Sequence, residues 1–580
     1  MDIKYNDYDV QCGPQPDDHQ RVIIQRIVSS VNLKHNVSVS GNAGTSKTFM
    51  LKHVVSKLRK EKKRVLVMAH TGQAANAVHG ITTAKFLHGM GGFQSPLNQF
   101  KCSVSRILQK TGKSKWWSTR GCDVCVIEEY SQIDPEHFAR IMYIFNQASS
   151  CKIPIVLFGD PLQCPPIPIP YYSNYPREQT LAIENRMSLC GFTADALREL
   201  HSDVELHCRN RRKCINPLTN PVKYIFQLPE YTAMDFRNII LDKPYRQAGD
   251  LQFYTILNKL RIGLLESQDL LYLVSKQGHL KEPPVSLCTT KKDVQSACKF
   301  SRLSASKSKN FTNTTVPMYT GMATISRTIC EGKYVHAFTN VDLEAYGSRQ
   351  EFANLEADAV RDGFLPQTEV YIGQRIMLNQ NVNLKQGLFN GRVGIVTSLI
   401  KPDPHPDGYS NPLLLPTILW DALDDSSPQL EMILYMIIHV KKDNFKDGMD
   451  TCKSEILYHL PISDCSALTW NRAQGKTLSS VHVNLPYKSA NSPVLGWMPE
   501  NGPYVSLSRA RSLSTLSVSR INASFENLDT TAQCLNATVA REALQFWNTM
   551  VAEQSEKNGQ DDIRPNKKRQ TSLLEYNFIK

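Results

Sequence analysis

The sequence predicts an α/β fold with parallel sheets, on three observations. Short apolar runs, VSVS at 37–40, RVLVMA at 64–69, CDVCVIEE at 122–129 and IPIVLFGD at 153–160, alternate with stretches of helical periodicity. Short apolar strands alternating with helices argue for a parallel sheet covered by helices on both faces. A glycine-rich turn, GNAGTSKT, divides the first strand from the helix after it. The alternation then resumes beyond about residue 240, which predicts a second α/β unit.

Taken in order, residues 1–17 read as a tail closed by Gly13, Pro14 and Pro16, and HQRVIIQRIVSSV is a helix, with Val22, Ile23, Ile27, Val28 and Val31 on one face. Helices FMLKHVVSKLRK and PEHFARIMYIFNQA complete a first domain over 18–240. The second domain, 241–515, carries helical patterns at 247–263 and 267–275 and strands at 285–290 and 480–485. Strand-rich sequence at 372–455, with the hairpin signal Asn390-Gly391, interrupts it as a β insertion. A helical segment over 516–556, including TAQCLNATVAREALQFWNTMV, precedes a basic tail at 557–580 whose polar composition predicts disorder.

Composition narrows the function classes. With 580 residues, 41% hydrophobic and 21% charged, the chain is neither disordered nor collagenous. Lys plus Arg exceed Asp plus Glu by 67 to 54, a net +13 that favours a polyanionic partner. No apolar run approaches the roughly 18 residues of a membrane span, and the polar start MDIKYNDYDV is no signal peptide, so an intracellular protein without membrane contact is expected. Fifteen scattered cysteines suit reduced thiols. A zinc site at Cys122 and Cys125, or at Cys208 and Cys214, is not expected.

The chemistry begins at Gly41, Asn42, Ala43, Gly44, Thr45, Ser46, Lys47 and Thr48. Between a strand and a helix, such a loop turns backbone N–H groups onto phosphates, with Lys47 reaching the β and γ phosphates and Thr48 ligating Mg²⁺. An ordinary Gly/Ser connection remains open for this stretch alone. Ser46 stands where the pattern has Gly, and if its backbone needs positive φ the side chain costs about 1–2 kcal/mol. Glu128 and Glu129 end an apolar strand about 80 residues on, as a metal-orienting acid and a water-activating base would. Gln163, in FGDPLQCPP, ends another strand and is placed for a γ-phosphate or its attacking water.

These stretches, with AHTGQAANAV, VIEEYSQID, PYRQ, TWNRAQGKTL and YVSLSRAR, resemble in order the motifs of Pif-family helicases, the RecD-like, 5′-to-3′ branch of superfamily one, over residues 18–515. The resemblance implies two RecA-like domains, a wedge insertion at about 84–119 and an SH3-like insertion at about 372–455, entered through IGQRIMLNQNVNLKQGLFNGRVGIV. It implies that ATP and Mg²⁺ are the cofactors. Gln20 would read adenine, Lys47 and Thr48 serve phosphates and metal, Glu128 orient the metal, Glu129 act as base and Gln163 as sensor. Arg246 and Arg509 would reach the γ-phosphate, and Gly475 would lie near the nucleotide. His70, Thr71, Gly72, Pro165, Pro166, Thr289, Thr290 and Thr469 would touch single-stranded DNA. Phe86, His88 and the region to Trp117 would form the wedge, with Trp116 and Trp117 read as its core in preference to stacking on bases. Glu128 for Asp, Ser46 for Gly, and Asn471, Arg472 and Ala473 for His, Lys and Ser depart from the family pattern and bear on turnover.

In the tail, KKR suggests nuclear import, and Gln570, Leu573 and Tyr576 are spaced like peptides that dock on sliding clamps. HCRNRRK at 207–213 is a loop or a DNA contact. The expectation is an ATP-dependent 5′-to-3′ DNA helicase, monomeric on single-stranded and forked DNA, in replication, repair or recombination. The alternatives are an RNA-directed helicase or a nucleotide-gated DNA-binding protein with weak hydrolysis.

Overall fold

The computed structural model describes residues 15–88, 97–113, 115–116, 121–149, 152–166, 223–275, 280, 284–308, 311–330, 333–345, 347–348, 350–361, 365–380, 382–383, 386, 388, 391–401, 414–421, 430–434, 437–440, 451–476, 478, 480–486, 495–496, 498–519 and 525–561. The first sheet contains β1 (Val37–Gly41), β2 (Val65–Ala69), β3 (Ile81–Thr82), β4 (Val124–Glu128), β5 (Ile155–Gly159) and β6 (Arg237–Leu241). Its order is β3-β2-β4-β5-β1-β6, and every pairing is parallel. In β1, β2, β4 and β5 every residue is buried, as expected of a sheet covered on both faces.

Helix α1 (Asp18–Asn32) turns Ile23, Ile24, Ile27, Val28 and Val31 inward and packs with α2 (Lys47–Lys60) on one face. Helices Thr83–His88, Leu97–Thr111 and Pro135–Ala148 cover the other. Phe86, Phe100, Val104, Leu108 and Trp116 all enter this core with Phe138 and Ile141. Trp116 and Phe86 are thus packed inside the region expected to form a wedge; Trp117 lies outside the described residues. Burial raises the Cys122 and Cys125 thiols, and no group of three candidate metal ligands occurs among the described residues.

A second parallel sheet takes the order Ala467–Thr469, Val285–Cys288, Val481–Asn484, Leu516–Ser519. Two boundaries differ from the sequence expectation. Residues 516–519 form a strand of this sheet instead of opening a helical segment. The strand-rich region begins at Asn313 and ends at Asp464, wider than 372–455. Tyr319–Cys330 is sandwiched between Lys333–Ala345 and Thr451–His459, so its pairing is settled by a partner far along the chain. A five-stranded antiparallel sheet, Leu430–Ile433, Leu415–Trp420, Val393–Ile400, Arg375–Leu378 and Ile462–Asp464, completes the region.

The C-terminal helical sequence forms two helices, Phe525–Asn536 and Arg541–Asp561, rather than one. They break because Asn501 takes the turn for itself: its N–H donates to the Thr538 carbonyl, and its side-chain oxygen accepts the Ala540 N–H. The first helix joins the core of the second domain through Leu528, Ala532 and Leu535. The second returns to the first domain, where Phe546 stacks on Phe226 with ring centroids 4.1 Å apart and Gln554 accepts the Ile240 N–H at 2.8 Å. This helix runs to Asp561, into the stretch expected to be disordered; residues 562–580 lie outside those described. None of the described helices is long and apolar enough to cross a membrane.

Candidate functional site

The glycine-rich loop joins β1 to α2 at the carboxyl edge of the first sheet, where open α/β sheets bind their ligands. Ser46 there has φ 61° and ψ 28°, so the left-handed geometry foreseen for the missing glycine is adopted with a side chain present. Its Oγ accepts a hydrogen bond from Gln20 Nε2 at 3.0 Å. Gln20 is also fixed from the other end, since Asp17 N–H donates to its Oε1 and Asp17 Oδ1 accepts its backbone N–H. Lys243 and Tyr245 both donate to Asp17 Oδ2, and chiefly through Lys243 this carboxylate is held down to about 2.

Lys47 bends back over the loop and donates to the carbonyls of Gly41 and Asn42, each at 2.8 Å. Burial pushes its pKa down, partly opposed by Asp160 and Glu129. Thr48 donates its hydroxyl to Glu128 Oε1, while Glu128 Oε2 is buried with no hydrogen-bond partner among the described residues. Burial first, and Glu129 second, raise Glu128 to about 8. An orphaned, desolvated carboxylate oxygen beside a threonine hydroxyl suits a divalent cation, which would restore the ionised form. Glu129 leaves β4 in left-handed geometry at φ 53°, turning away from the strand's alternation.

The second domain completes the site. Gly44, at φ +85°, lets the segment around Arg246 sit on the loop: a Cβ there would lie 2.4 Å from Gln247 Oε1 and 2.8 Å from Arg246 Cβ. The backbone N–H groups of Tyr245 and Arg246 donate to the Gly44 carbonyl. Arg246 bonds the Ser508 carbonyl at 3.0 Å, and Arg509 bonds the carbonyls of Val505 and Lys476. Burial lowers both guanidinium groups, Arg246 to about 9 with Arg509 adding to the effect. Three desolvated cations gathered at one loop are most readily relieved by an anionic ligand. Gly475, at φ +77°, brings its turn against Glu129, and Gln474 Nε2 donates to Glu129 Oε2 at 3.3 Å.

Several participants carry no assignment from sequence. Tyr504 accepts the Ala43 N–H at 2.7 Å and donates to Asp160 at 3.2 Å. Asp160 pairs with Arg261 at 2.6 Å, and both are almost wholly buried. The Arg261 guanidinium also lies 3.9 Å from the Trp547 ring centroid. Gln163 donates to Asp160 and its carbonyl accepts from Asn501. Tyr504, Asp160 and Gln247 stand inside the recognised motifs, which is the only signal that could have drawn attention to them. Arg261 is a late position of a helix and has no local mark.

The residues expected to touch single-stranded DNA come from both domains. Thr71, Thr290 and Thr469 follow the carboxyl ends of their strands, and each hydroxyl accepts a backbone N–H of the next helix, from Ala74, Asp293 and Arg472. Thr289 donates to Asp293, Gly72 has open space around it, and burial lowers the pKa of His70. Pro165 is half-buried and Pro166 is buried, leaving little of the second for a strand to touch. Gln570, Leu573, Tyr576, KKR and HCRNRRK lie outside the described residues.

Comparison with known proteins agrees with this geometry. Residues 15–182 match the family described as PIF1-like helicase. The chain is 24% identical over 562 residues to a Trypanosoma brucei brucei protein named ATP-dependent DNA helicase PIF7, covering 91% of this chain and 48% of that one. It is 22% identical over 517 residues to the Homo sapiens protein named ATP-dependent DNA helicase PIF1, covering 87% and 61%. The chain therefore spans about half of the first relative and under two thirds of the second. In fold it is similar to the Pif1 helicase from Candida albicans, with TM-score 0.58 and 20% identity over 93% of this chain and 100% of that one. It is also similar to a Bacteroides Pif1 bound to ssDNA, with TM-score 0.52 and 18% identity over 94% and 99%.

Proposed function

The chain belongs to the PIF1-like helicase family, and from that premise we propose that it is an ATP-dependent motor on DNA. The observation that carries this reading is a set of phosphate-type side chains contributed by two domains that touch around one loop. Lys47, Thr48, Glu128, Glu129 and Gln163 come from the first, while Arg246, Gln474 and Arg509 come from the second. Movement of one domain against the other changes the alignment of the second set against the first, which links nucleotide state to domain motion.

Loop amides and Lys47 hold the phosphates of ATP, and Gln20 meets the adenine after releasing Ser46. Glu128 and Thr48 hold Mg²⁺, which neutralises phosphate charge when bound. Glu129 is the base that takes a proton from water, and its left-handed backbone and Gln474 orient its carboxylate. Arg246 and Arg509 offer guanidinium forks to the charge that develops on the transferred phosphoryl group. Each currently rests on a backbone carbonyl, an exchange a phosphate makes favourable.

Single-stranded and forked DNA are the proposed partners, with 5′-to-3′ travel by a monomer. For DNA as the partner, support comes from helicase-named relatives, from a Bacteroides Pif1 bound to ssDNA and from a neighbour described as unwinding at forked dsDNA by two coordinating Pif1 helicases; polarity and the monomer rest on the motif resemblance. Thr71, Thr290 and Thr469 at strand ends in both domains supply polar and backbone groups suited to phosphate contacts without sequence readout. Nuclear residence and clamp docking through Gln570, Leu573 and Tyr576 are part of the same reading.

The test is DNA-stimulated ATPase and fork unwinding by the wild type, Lys47→Ala and Glu129→Gln, on DNA and RNA tracking strands with a 5′ or a 3′ overhang. The wild type is expected to unwind DNA forks with a 5′ overhang, and each variant to lose about 10²–10³ in turnover. Glu129→Gln should keep ATP binding. DNA binding without any wild-type hydrolysis refutes the motor, and unwinding confined to 3′ overhangs refutes the polarity.

A further inference from the structure

Asn501 sits where the two domains and the C-terminal helices come together. It precedes the short helix Gly502–Leu507, which leads directly into Ser508 and Arg509. Its backbone is left-handed, at φ 56° and ψ 4°, a geometry that asparagine tolerates better than most residues with a side chain. The next residue has no room to shift, since a Cβ on Gly502 would lie 2.5 Å from Trp470 Cε3 and 2.7 Å from Pro499 Cγ. Both backbone groups of Asn501 are bonded: its N–H donates to the Thr538 carbonyl at 2.9 Å, and its carbonyl accepts from the Val505 N–H at 3.0 Å. Both ends of its side chain are bonded too, Oδ1 accepting the Ala540 N–H and Nδ2 donating to the Gln163 carbonyl, each at 3.0 Å. Turning the amide over would set donor against donor and acceptor against acceptor, so its orientation is fixed.

These bonds belong to two closed rings of contacts. In the first, Gln163 Nε2 donates to Asp160 and Tyr504, three residues after Asn501, donates to the same carboxylate. The second runs from Ala540 into the helix Arg541–Asp561 as far as Trp547, across to the Arg261 guanidinium, and through the buried Arg261–Asp160 pair back to Gln163. Ala540 and Ala543 also share a buried cluster with Leu162, the neighbour of Gln163. Both rings pass through the bond between Asn501 and Gln163, and a buried bond of this kind is costly to break because it strands a desolvated carbonyl. Gln163 depends on that anchor. Its Oε1 is buried with no hydrogen-bond partner among the described residues, and its Nε2 has only the 3.4 Å contact with Asp160.

We propose that Asn501 is a positioning residue for ATP hydrolysis, which holds the backbone of Gln163 in register with the helix leading to Arg509 and takes its second anchor from the C-terminal helices. The inference rests on the ATPase reading above, in which Gln163 and Arg509 serve the γ-phosphate from opposite domains. The Asn501 side chain touches neither nucleotide group itself; it acts through the Gln163 carbonyl. A misplacement of about 1 Å at a reacting centre costs on the order of 10² in rate, so a partial loss of this register is enough to slow turnover without removing the ATP site.

The experiment is steady-state ATPase of the full chain for the wild type, Asn501→Gly and Asn501→Asp, with urea midpoints measured on the same preparations. Glycine takes the same φ and keeps both backbone bonds, so Asn501→Gly removes the side chain alone. Asn501→Asp keeps an acceptor for the Ala540 N–H and sets a carboxylate oxygen against the Gln163 carbonyl. Each variant is expected to lower kcat about tenfold, with the KM for ATP within about twofold of wild type. A purely structural role would lower the urea midpoint and leave kcat per folded molecule at the wild-type value. Should Asn501→Asp not fold, the split between kcat and KM is read on Asn501→Gly. Wild-type kcat in both variants overturns the positioning role, and wild-type kcat in the aspartate variant alone overturns the tie to Gln163. No turnover in the wild type overturns the ATPase reading and the inference with it.

Discussion

Replacing Ser46 by Gly and by Ala separates two effects that the wild type holds together. At φ 61° a side chain costs about 1–2 kcal/mol, and the Ser46 hydroxyl offsets this through the hydrogen bond from Gln20 at 3.0 Å, worth about 1 kcal/mol. Ser46→Gly loses the hydrogen bond and relieves the strain, but it frees the unfolded chain at a cost of about 0.4–1 kcal/mol. Its net change is therefore within about 1 kcal/mol of zero. Ser46→Ala keeps the strain and loses the bond, so it should fall about 1 kcal/mol below wild type and below the glycine variant by a similar margin. Urea unfolding midpoints of the three proteins give the stabilities. Steady-state ATP titrations give the second readout: both variants release Gln20 Nε2 and should lower the KM for ATP by the same factor. An alanine variant as stable as the glycine variant refutes the strain, and a lower KM in only one of them refutes the role given to the hydrogen bond.

Two further outcomes follow from the buried charges. Glu128 holds its proton up to about 8 in the folded protein against an ordinary 4.5, so the folded state binds more protons between those values and ligand-free stability should fall as pH rises from about 5 to 8. Glu128→Gln should flatten that slope in urea midpoints measured across the range; equal slopes would refute the burial argument. Burial pushes Asp160 up, but Arg261 and Lys47 overcome it and hold the carboxylate below its usual range. Arg261→Leu should therefore cost about 3–5 kcal/mol, and adding Asp160→Leu should recover part of the loss in a double-mutant cycle. Strict additivity would show that the pair is not coupled.

Local chemistry made much of this protein legible. Strands β2, β4 and β5 are short and apolar on both faces, so their place in a buried parallel sheet is written in their own residues, whereas β1 alternates valine with serine and is buried on both faces by what the fold lays against it. The loop at 41–48 announces itself through glycine and lysine spacing, and the consequence of Ser46 could be stated before its φ was known. The boundaries that moved depend on partners distant in the chain. Residues 516–519 become a strand because Val481–Asn484 offers them an edge, and the β-rich region reaches back to Asn313 because Tyr319–Cys330 pairs with Thr451–His459.

The site divides in the same way. Lys47, Thr48, Glu128, Glu129, Gln163, Arg246 and Arg509 could be singled out because each stands in a short pattern tied to phosphate chemistry. Arg261 and Asn501 could not, and Tyr504 and Gln474 stand inside recognised motifs without a role there, since the importance of all four lies in what they touch across the domain boundary. Sequence by itself therefore determined the sheet-forming segments and the phosphate-binding chemistry, where the interacting residues are near neighbours along the chain. Tertiary structure alone decided which buried donors and acceptors join the two domains, because desolvated polar groups must find partners wherever folding places them, and no local pattern encodes that meeting.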